Sequence, residues 1–233
     1  MATTTAVEII ERAGTLIQDT GYVRWTKREL LGYLNDAQKQ IAIHRPDAST
    51  VNESFATALG TKQTIPAAGL RLIDVVRNVG GRVITQVSRK VLDEQLPDWH
   101  ETPAIGALDA EHFTYDPRDP KTFYLYPKIQ AGRNIEIIYS VSPAVITSTT
   151  AQSDPNDLSD ISATTISVDD IYFNPILDFV LYRAYAKDTE YAGNTQRAGM
   201  HLQSFGNALG VKMQMDTSAS PTPKNPDANS GRS

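Results

Sequence analysis

The apolar residues of this chain keep helical spacing at both ends and change to every second residue in the middle. Val7, Ile10, Ala13 and Ile17 recur in steps of three and four, as do Leu30, Leu34, Ala37 and Ile41. From 49 to about 143 the period is two, with Val51, Glu53, Phe55 and Thr57 on one side of an extended segment and Ile135, Ile137, Tyr139 and Val141 on one side of another. Helical spacing returns at 174. Such an order allows few folds. It predicts an α+β chain in which the N- and C-terminal helix pairs form a helical bundle with a central β-rich insert projecting between them. The expected boundaries are residues 1–48 and 169–210 for the helical domain, 49–168 for the insert, and 211–233 for an extended C-terminal arm.

Local signals mark the ends of these elements. Thr5 and Glu8 have capping-box spacing, and Thr20-Gly21 offers a stop, so a helix is expected over 6–18. Thr26 and Glu29 repeat the device, with Trp25 and Leu30 placed as a hydrophobic staple. That helix should end before Pro46, because a residue preceding proline avoids the α region. Lys27, Arg28, Asp36 and Lys39 lie off its apolar stripe and are mixed in sign, so they read as a solvated face rather than a phosphate grip. Residues 72–89 read as two strands joined by Gly80-Gly81, followed by a short helix from Arg89 to Leu96 behind Ser88. Residues 112–127 read as a hairpin turned by Asp116-Pro117-Arg118-Asp119-Pro120, with Phe123, Tyr124, Leu125 and Tyr126 forming an aromatic strand. Residues 144–168, rich in Ser, Thr and Asp, read as a long exposed loop within the insert.

Asn174-Pro175 looks like an N-cap followed by proline at the first helical position. Beyond it, apolar residues from Ile176 to Tyr185 cover nearly all azimuths. A helix apolar all round must be buried on most sides, and a second subunit is one way to cover it. Phe179, Tyr182, Arg183 and Tyr185 are therefore candidate subunit-interface residues, together with Tyr124 and Tyr126 of the aromatic strand. A last helix over 195–209 should carry Ala198, Leu202, Phe205 and Leu209 on one stripe and stop at Gly210. The remaining residues have the composition of a disordered segment, and a docking arm that orders on a partner is expected there. Val211, Lys212, Met213, Met215, Pro221 and Pro223 are its candidate docking residues.

Chemistry is largely excluded. With no cysteine there are no disulfides, thiolates or Cys-based metal sites. The net charge of −5 leaves no overall basic footprint for nucleic acid. No secretory signal is expected at the N-terminus, and no apolar run nears the roughly 20 residues of a membrane helix. A protein folded in a reducing cytosol is expected. Phosphate-loop and HExxH patterns are missing, and His44, His100, His112 and His201 are scattered. Residues 154–165 fail as a calcium loop, since Leu158, Ser159 and Thr165 stand where ligands and glycine are needed. The pairs Asp169/Asp170 and Asp116/Asp119 read as caps. Neither catalytic residues nor cofactor or metal sites are expected.

Five blocks, WTKRELLGYLNDAQKQIAIHRPDA, GLRLIDVVRNVGG, PDWH, DPRDPKTFYLYP and VLYRAYAKDTEYAGN, resemble successive blocks of the head-to-tail adaptor (connector, tail tubular A-like) proteins of short-tailed bacteriophages. They fall in family order across about residues 3 to 212. The resemblance implies a dodecameric ring of identical subunits between the portal and the tail nozzle, at the head–tail junction of the virion, assembled in the host cytoplasm. Portal, nozzle and further copies of the chain are the implied partners. Double-stranded DNA would pass through the lumen without specific binding. The alternative is a phage accessory protein that binds nucleic acid through the aromatic hairpin 112–127, with Arg118 and Lys121.

Overall fold

The computed structural model describes residues 2–101, 105–188 and 192–219, and in the last helix the side chains of residues 193–210. Among the described residues the fold is mixed α+β, with five α-helices and seven strands in two sheets. In chain order they are α1 (Ala6–Leu16), α2 (Lys27–His44), β1 (Thr50–Ala56), β2 (Gly60–Thr64), β3 (Gly69–Asn78), β4 (Thr85–Gln86), α3 (Arg89–Gln95), β5 (His112–Tyr115), β6 (Thr122–Ile129), β7 (Asn134–Val141), α4 (Phe173–Lys187) and α5 (Ala192–Ala219). The chain divides into two compact units, one of Met1–Arg45 with Ala144–Ser233 and one of Pro46–Pro143.

In the first unit α4 packs against α5, α2 and α1, and α1 also meets α2. Ile9, Ile10, Leu30, Leu34, Ala37, Ile41, Ile176 and Val180 are wholly buried. The Thr5–Glu8 box forms as expected: the Glu8 amide donates to Thr5 Oγ1 at 3.2 Å, and Glu8 accepts from the Thr5 amide at 2.8 Å. Helix α1 ends earlier than Gly21, because Gln18 turns to a left-handed φ of 60° and the Asp19 amide closes on the Gly14 carbonyl at 3.0 Å. At α2 only half of the second box forms. Thr26 accepts from the Glu29 amide, but the Glu29 carboxylate is taken by the Tyr33 hydroxyl at 2.7 Å and by Lys187 at 2.6 Å.

Two further boundaries differ from expectation. Helix α4 begins at Phe173, ahead of Pro175, after a 3₁₀ turn over Asp170–Tyr172 in which Asp169 accepts from the Ile171 amide. Pro175 falls in the first turn, where a missing amide costs nothing. Helix α5 continues through Gly210 to Ala219, since a glycine ends a helix only where it turns left-handed. On its stripe Ala198, Phe205 and Leu209 are buried, whereas Leu202 is 43% exposed.

The segment 144–168 is the largest correction. It groups with the helices rather than with the insert, and it is not structureless. Short 3₁₀ turns at Thr150–Gln152 and Ser159–Ile161 bury Ala151, Leu158 and Ile161, and Ile146, Ile166 and Val168 are buried as well.

In the second unit β1, β7 and β3 form one antiparallel sheet. The other runs β2–β6–β5–β4, with β4 parallel to β5. Gly80-Gly81 does turn the chain, but the segment beyond it leaves β3 after one bridge, Arg77 to Val83, and joins the other sheet. Leu72, Val75, Ile135, Ile137 and Tyr139 from the first sheet share one core with Phe113, Phe123, Leu125 and Ile129 from the second. Strand β3 buries every third residue, Gly69, Leu72, Val75 and Asn78, because three register shifts each add a residue against β7. The buried Asn78 amide is fully used, donating to the Ala110 and Arg82 carbonyls and accepting from the Ala110 amide. Gly106 sits at φ +85°, and a Cβ there would lie 2.8 Å from the Ile129 carbonyl carbon, so only glycine fits.

The bulged register of β3 makes a direct prediction. Leu72→Ala should cost about 2–5 kcal/mol in urea unfolding, whereas Ile73→Ala, at an exposed position, should stay within about 0.5–1 kcal/mol. Equal losses would contradict the three-residue period.

Candidate functional site

Among the described residues no group of three His, Asp or Glu side chains could hold a metal ion. The conspicuous carboxylates instead hold the backbone. Asp170 accepts from the Thr3 and Thr4 amides at 2.9–3.0 Å and from the Thr3 hydroxyl at 2.8 Å, tying the start of the chain to the entry of α4. These bonds keep its carboxyl well below the usual carboxylate range. Asp160 gathers the Ser148, Thr149 and Thr150 hydroxyls and the Thr149 amide, with the same effect, led by Ser148. At Asp19 desolvation pushes upward, but the amides of Trp25, Val23 and Arg24 outweigh it. Asp116 is held at about 2, chiefly by the Arg118 side chain and amide.

The acidic segment also completes α2. The Lys27 amide donates to Asn156 Oδ1 at 3.2 Å and the Arg28 amide to the Pro155 carbonyl at 2.9 Å. With Thr26 serving Glu29, three first-turn donors of α2 are satisfied. Further along, the Asn35 amide pairs with both the N–H and the carbonyl of Ile146 at 2.9 Å, as a neighbouring strand would. A cleft of about 240 Å³ lies beside this clamp, lined by Arg28, Leu31, Asn35, Val145, Ile146 and Gln152. Another of about 520 Å³ is lined by Arg24, Trp25, Tyr185, Asp188, Asn194 and Arg197. Sequence reasoning passed over Asn35 and Asn156, because a lone asparagine gives no signal until its backbone partner is known.

The candidate interface residues separate into two groups. Phe179 and Tyr185 are 7% and 8% exposed, covered by their own chain. Phe179 meets Phe205 with ring centroids 5.2 Å apart, and Tyr185 stacks on His201 at 5.8 Å. The expected reason for placing them between subunits, an uncovered apolar helix, does not hold. Tyr182 is half-buried and Arg183 is exposed, paired with Asp36 at 3.4 Å. In the second unit Tyr124 packs edge-on against Trp99 and His100, and Tyr126 stacks on His112. Both tyrosines stay half-buried, while Phe123 and Leu125 are core residues and Arg118 is engaged by Asp116. Of the arm, Val211, Lys212, Met213 and Met215 lie on the backbone of α5, and Pro221 and Pro223 lie outside the described residues.

The fold thus holds these polar groups in structural roles. A family model described as SU10 adaptor protein matches residues 4–227. The chain belongs to the SU10 adaptor protein family. No curated protein matches it. The match agrees with the resemblance carried by the five sequence blocks. Membership marks this adaptor as a structural bacteriophage protein, and it implies a virion component of the head–tail junction associated with portal and tail proteins. None of its described helices is long and apolar enough to cross a membrane.

Asp170 gives the adaptor an acid-labile clasp. A carboxyl depressed in the folded state contributes stability above its unfolded pKa of roughly 3.9, and that contribution fades as pH falls through the folded value. Thermal melts between pH 7 and pH 2 should show Asp170→Asn less stable than the native chain at neutral pH, with the difference shrinking below about pH 4. A difference constant with pH would contradict the clasp.

Proposed function

We propose that this adaptor assembles as a closed ring, a dodecamer, between the portal and the tail nozzle, and that the genome passes through its lumen. The family match over residues 4–227 carries this reading. A ring of identical subunits uses heterologous contacts, two different patches on each copy, that close by rotation. Tyr182 and Arg183 of the helical unit and Tyr124 and Tyr126 of the β unit are accessible enough to contribute to such patches. The N- and C-terminal helix pairs act as the bundle that carries the insert. Residues 211–233 act as the arm that docks on the portal, with Val211, Lys212, Met213, Met215, Pro221 and Pro223 as its contacts. Assembly takes place in the host cytoplasm.

The acidic balance suits a conduit. Each Lys or Arg that neutralises a phosphate adds salt-dependent affinity, and a lumen that gripped the duplex would hinder its exit. With a net charge of −5, a lumen neutral to acidic lets DNA slide. The polar, ion-paired hairpin turn at Asp116–Arg118 offers phosphate no free cation at Arg118.

The arm is testable because the described buried positions of α5, Ala198, Phe205 and Leu209, all precede it. Deleting Val211–Ser233 should leave thermal stability within about 1 kcal/mol of the full chain, since every buried position among the described residues remains. The same deletion should abolish co-migration with portal in size-exclusion chromatography. Undiminished portal binding would refute the docking role. Negative-stain images of the full chain with portal should show a collar, and monomers indifferent to portal would refute the ring.

A further inference from the structure

Among the described residues four strands stand at sheet edges, and three are blunted. Strand β4 has two residues, and β2 has five with a register shift. Strand β3 carries three shifts, and its outer groups are partly used, with the Leu72 amide donating to Pro120 O and the Val76 carbonyl accepting from Ile84. Strand β1 is different. Its seven residues pair with β7 without interruption from Thr50↔Ser140 to Ala56↔Asn134. It contains no proline, lysine or arginine. Long, regular edges of this kind are templates for another strand, and most folds guard them.

The ladder fixes which groups are free. The Val141 amide donates to the Ser49 carbonyl, and the Thr57 amide donates to the Arg133 carbonyl. Hydrogen-bonded pairs recur every second residue in an antiparallel ladder, so Val51, Glu53 and Phe55 carry the bonds to β7. The N–H and C=O groups of Thr50, Asn52, Ser54 and Ala56 therefore point away from the sheet. Among the described residues no other part of the chain bonds to them.

The side chains set the terms for a partner. Val51 and Phe55 face the core but are only half-buried, whereas Ile135, Ile137 and Tyr139 beside them on β7 are no more than 4% exposed. Between them stands Glu53, which accepts from the Tyr139 hydroxyl at 2.9 Å. Its charge guards against self-association. Fully overlapped antiparallel pairing of two β1 strands would set Glu53 against Glu53, and like charges directly opposite are destabilising.

We propose that β1 is a docking edge for an extended segment of another protein, which adds a fourth strand to the β1–β7–β3 sheet and sets a Lys or Arg against Glu53 between two apolar residues that cover Val51 and Phe55. Main-chain bonds to Thr50, Asn52, Ser54 and Ala56 supply affinity, and the alternate side chains supply selectivity. The surface does not depend on the ring reading.

Amide exchange of the full-length chain, followed by NMR with two synthetic peptides, tests the proposal. The probes are acetylated, amidated Thr-Val-Thr-Lys-Thr-Val-Thr and its counterpart with Glu in place of Lys. In the free chain the amides of Thr50, Asn52, Ser54 and Ala56 should exchange fast. At ten times its Kd the lysine peptide should slow them about tenfold, with a several-fold weaker effect from the glutamate peptide. Ser54→Pro, which removes an outward N–H and no bond to β7, should abolish the slowing. Glu53→Lys keeps every backbone bond and should reverse the peptide preference, and it decides the matter if the proline variant does not fold. Protection of the four amides in the free chain, no slowing by the lysine peptide, or equal slowing by both would overturn the proposal.

Discussion

Helix α4 carries apolar side chains on nearly every side, and such a helix is stable in water only when other elements enclose it. Its first turns bury Ile176, Leu177, Phe179, Val180 and Leu181, and its last bury Ala184 and Tyr185. Helices α1 and α2 come from one end of the chain and α5 from the other, and all three close on it. The Trp25 indole donates to the Ala184 carbonyl at 3.0 Å, which anchors the start of α2 to the last turns of α4. Helices far apart in sequence must therefore meet, and residues 46–143 fold as a separate unit between them in sequence. Burying a large aliphatic or aromatic side chain is worth about 1.5–3 kcal/mol, so α4 alone accounts for a substantial part of the unit's cohesion.

Polar accounting explains why the acidic segment 144–168 is ordered. Its carboxylates face hydroxyls and amides rather than cations, and no Lys or Arg occurs between 144 and 168. Asp160 collects three hydroxyls, Asn156 and Pro155 cap α2, and the Asn35 side chain completes the backbone of Ile146. The Asn35–Ile146 bonds are buried and satisfy groups that would otherwise lack a partner, whereas the Asp160 bonds tie the segment together at the surface. The segment thus acts as a strap on the helical unit. That role suits a structural component, which needs rigid elements more than reactive ones.

Elements whose signals are local were legible in the sequence. The Thr5 box, the Thr26 cap, the end of α2 before Pro46, the hairpin over 112–127 and the strand at Asn134–Val141 follow from residues close in sequence. Features set by distant partners were not. The bulges of β3 turn a period of two into three, and nothing in GLRLIDVVRN announces β7 on its other side. The Gly210 stop failed because glycine permits a left-handed turn without requiring one. The covering of Phe179 and Tyr185 was misjudged because periodicity shows that a helix must be enclosed but not by which chain. The family was legible from five ordered blocks.

If α4 is enclosed by its own chain, association of the adaptor rests on other surfaces, and the helical unit is complete before any partner arrives. Native-state amide exchange on the dilute, monomeric chain tests this most directly. The account predicts that the amides of Val180, Leu181 and Ala184 in α4 are among the slowest of the helical unit and exchange no more slowly after assembly. Fast exchange in the monomer, with protection only when copies or portal are added, would show that α4 needs outside partners and would contradict the account.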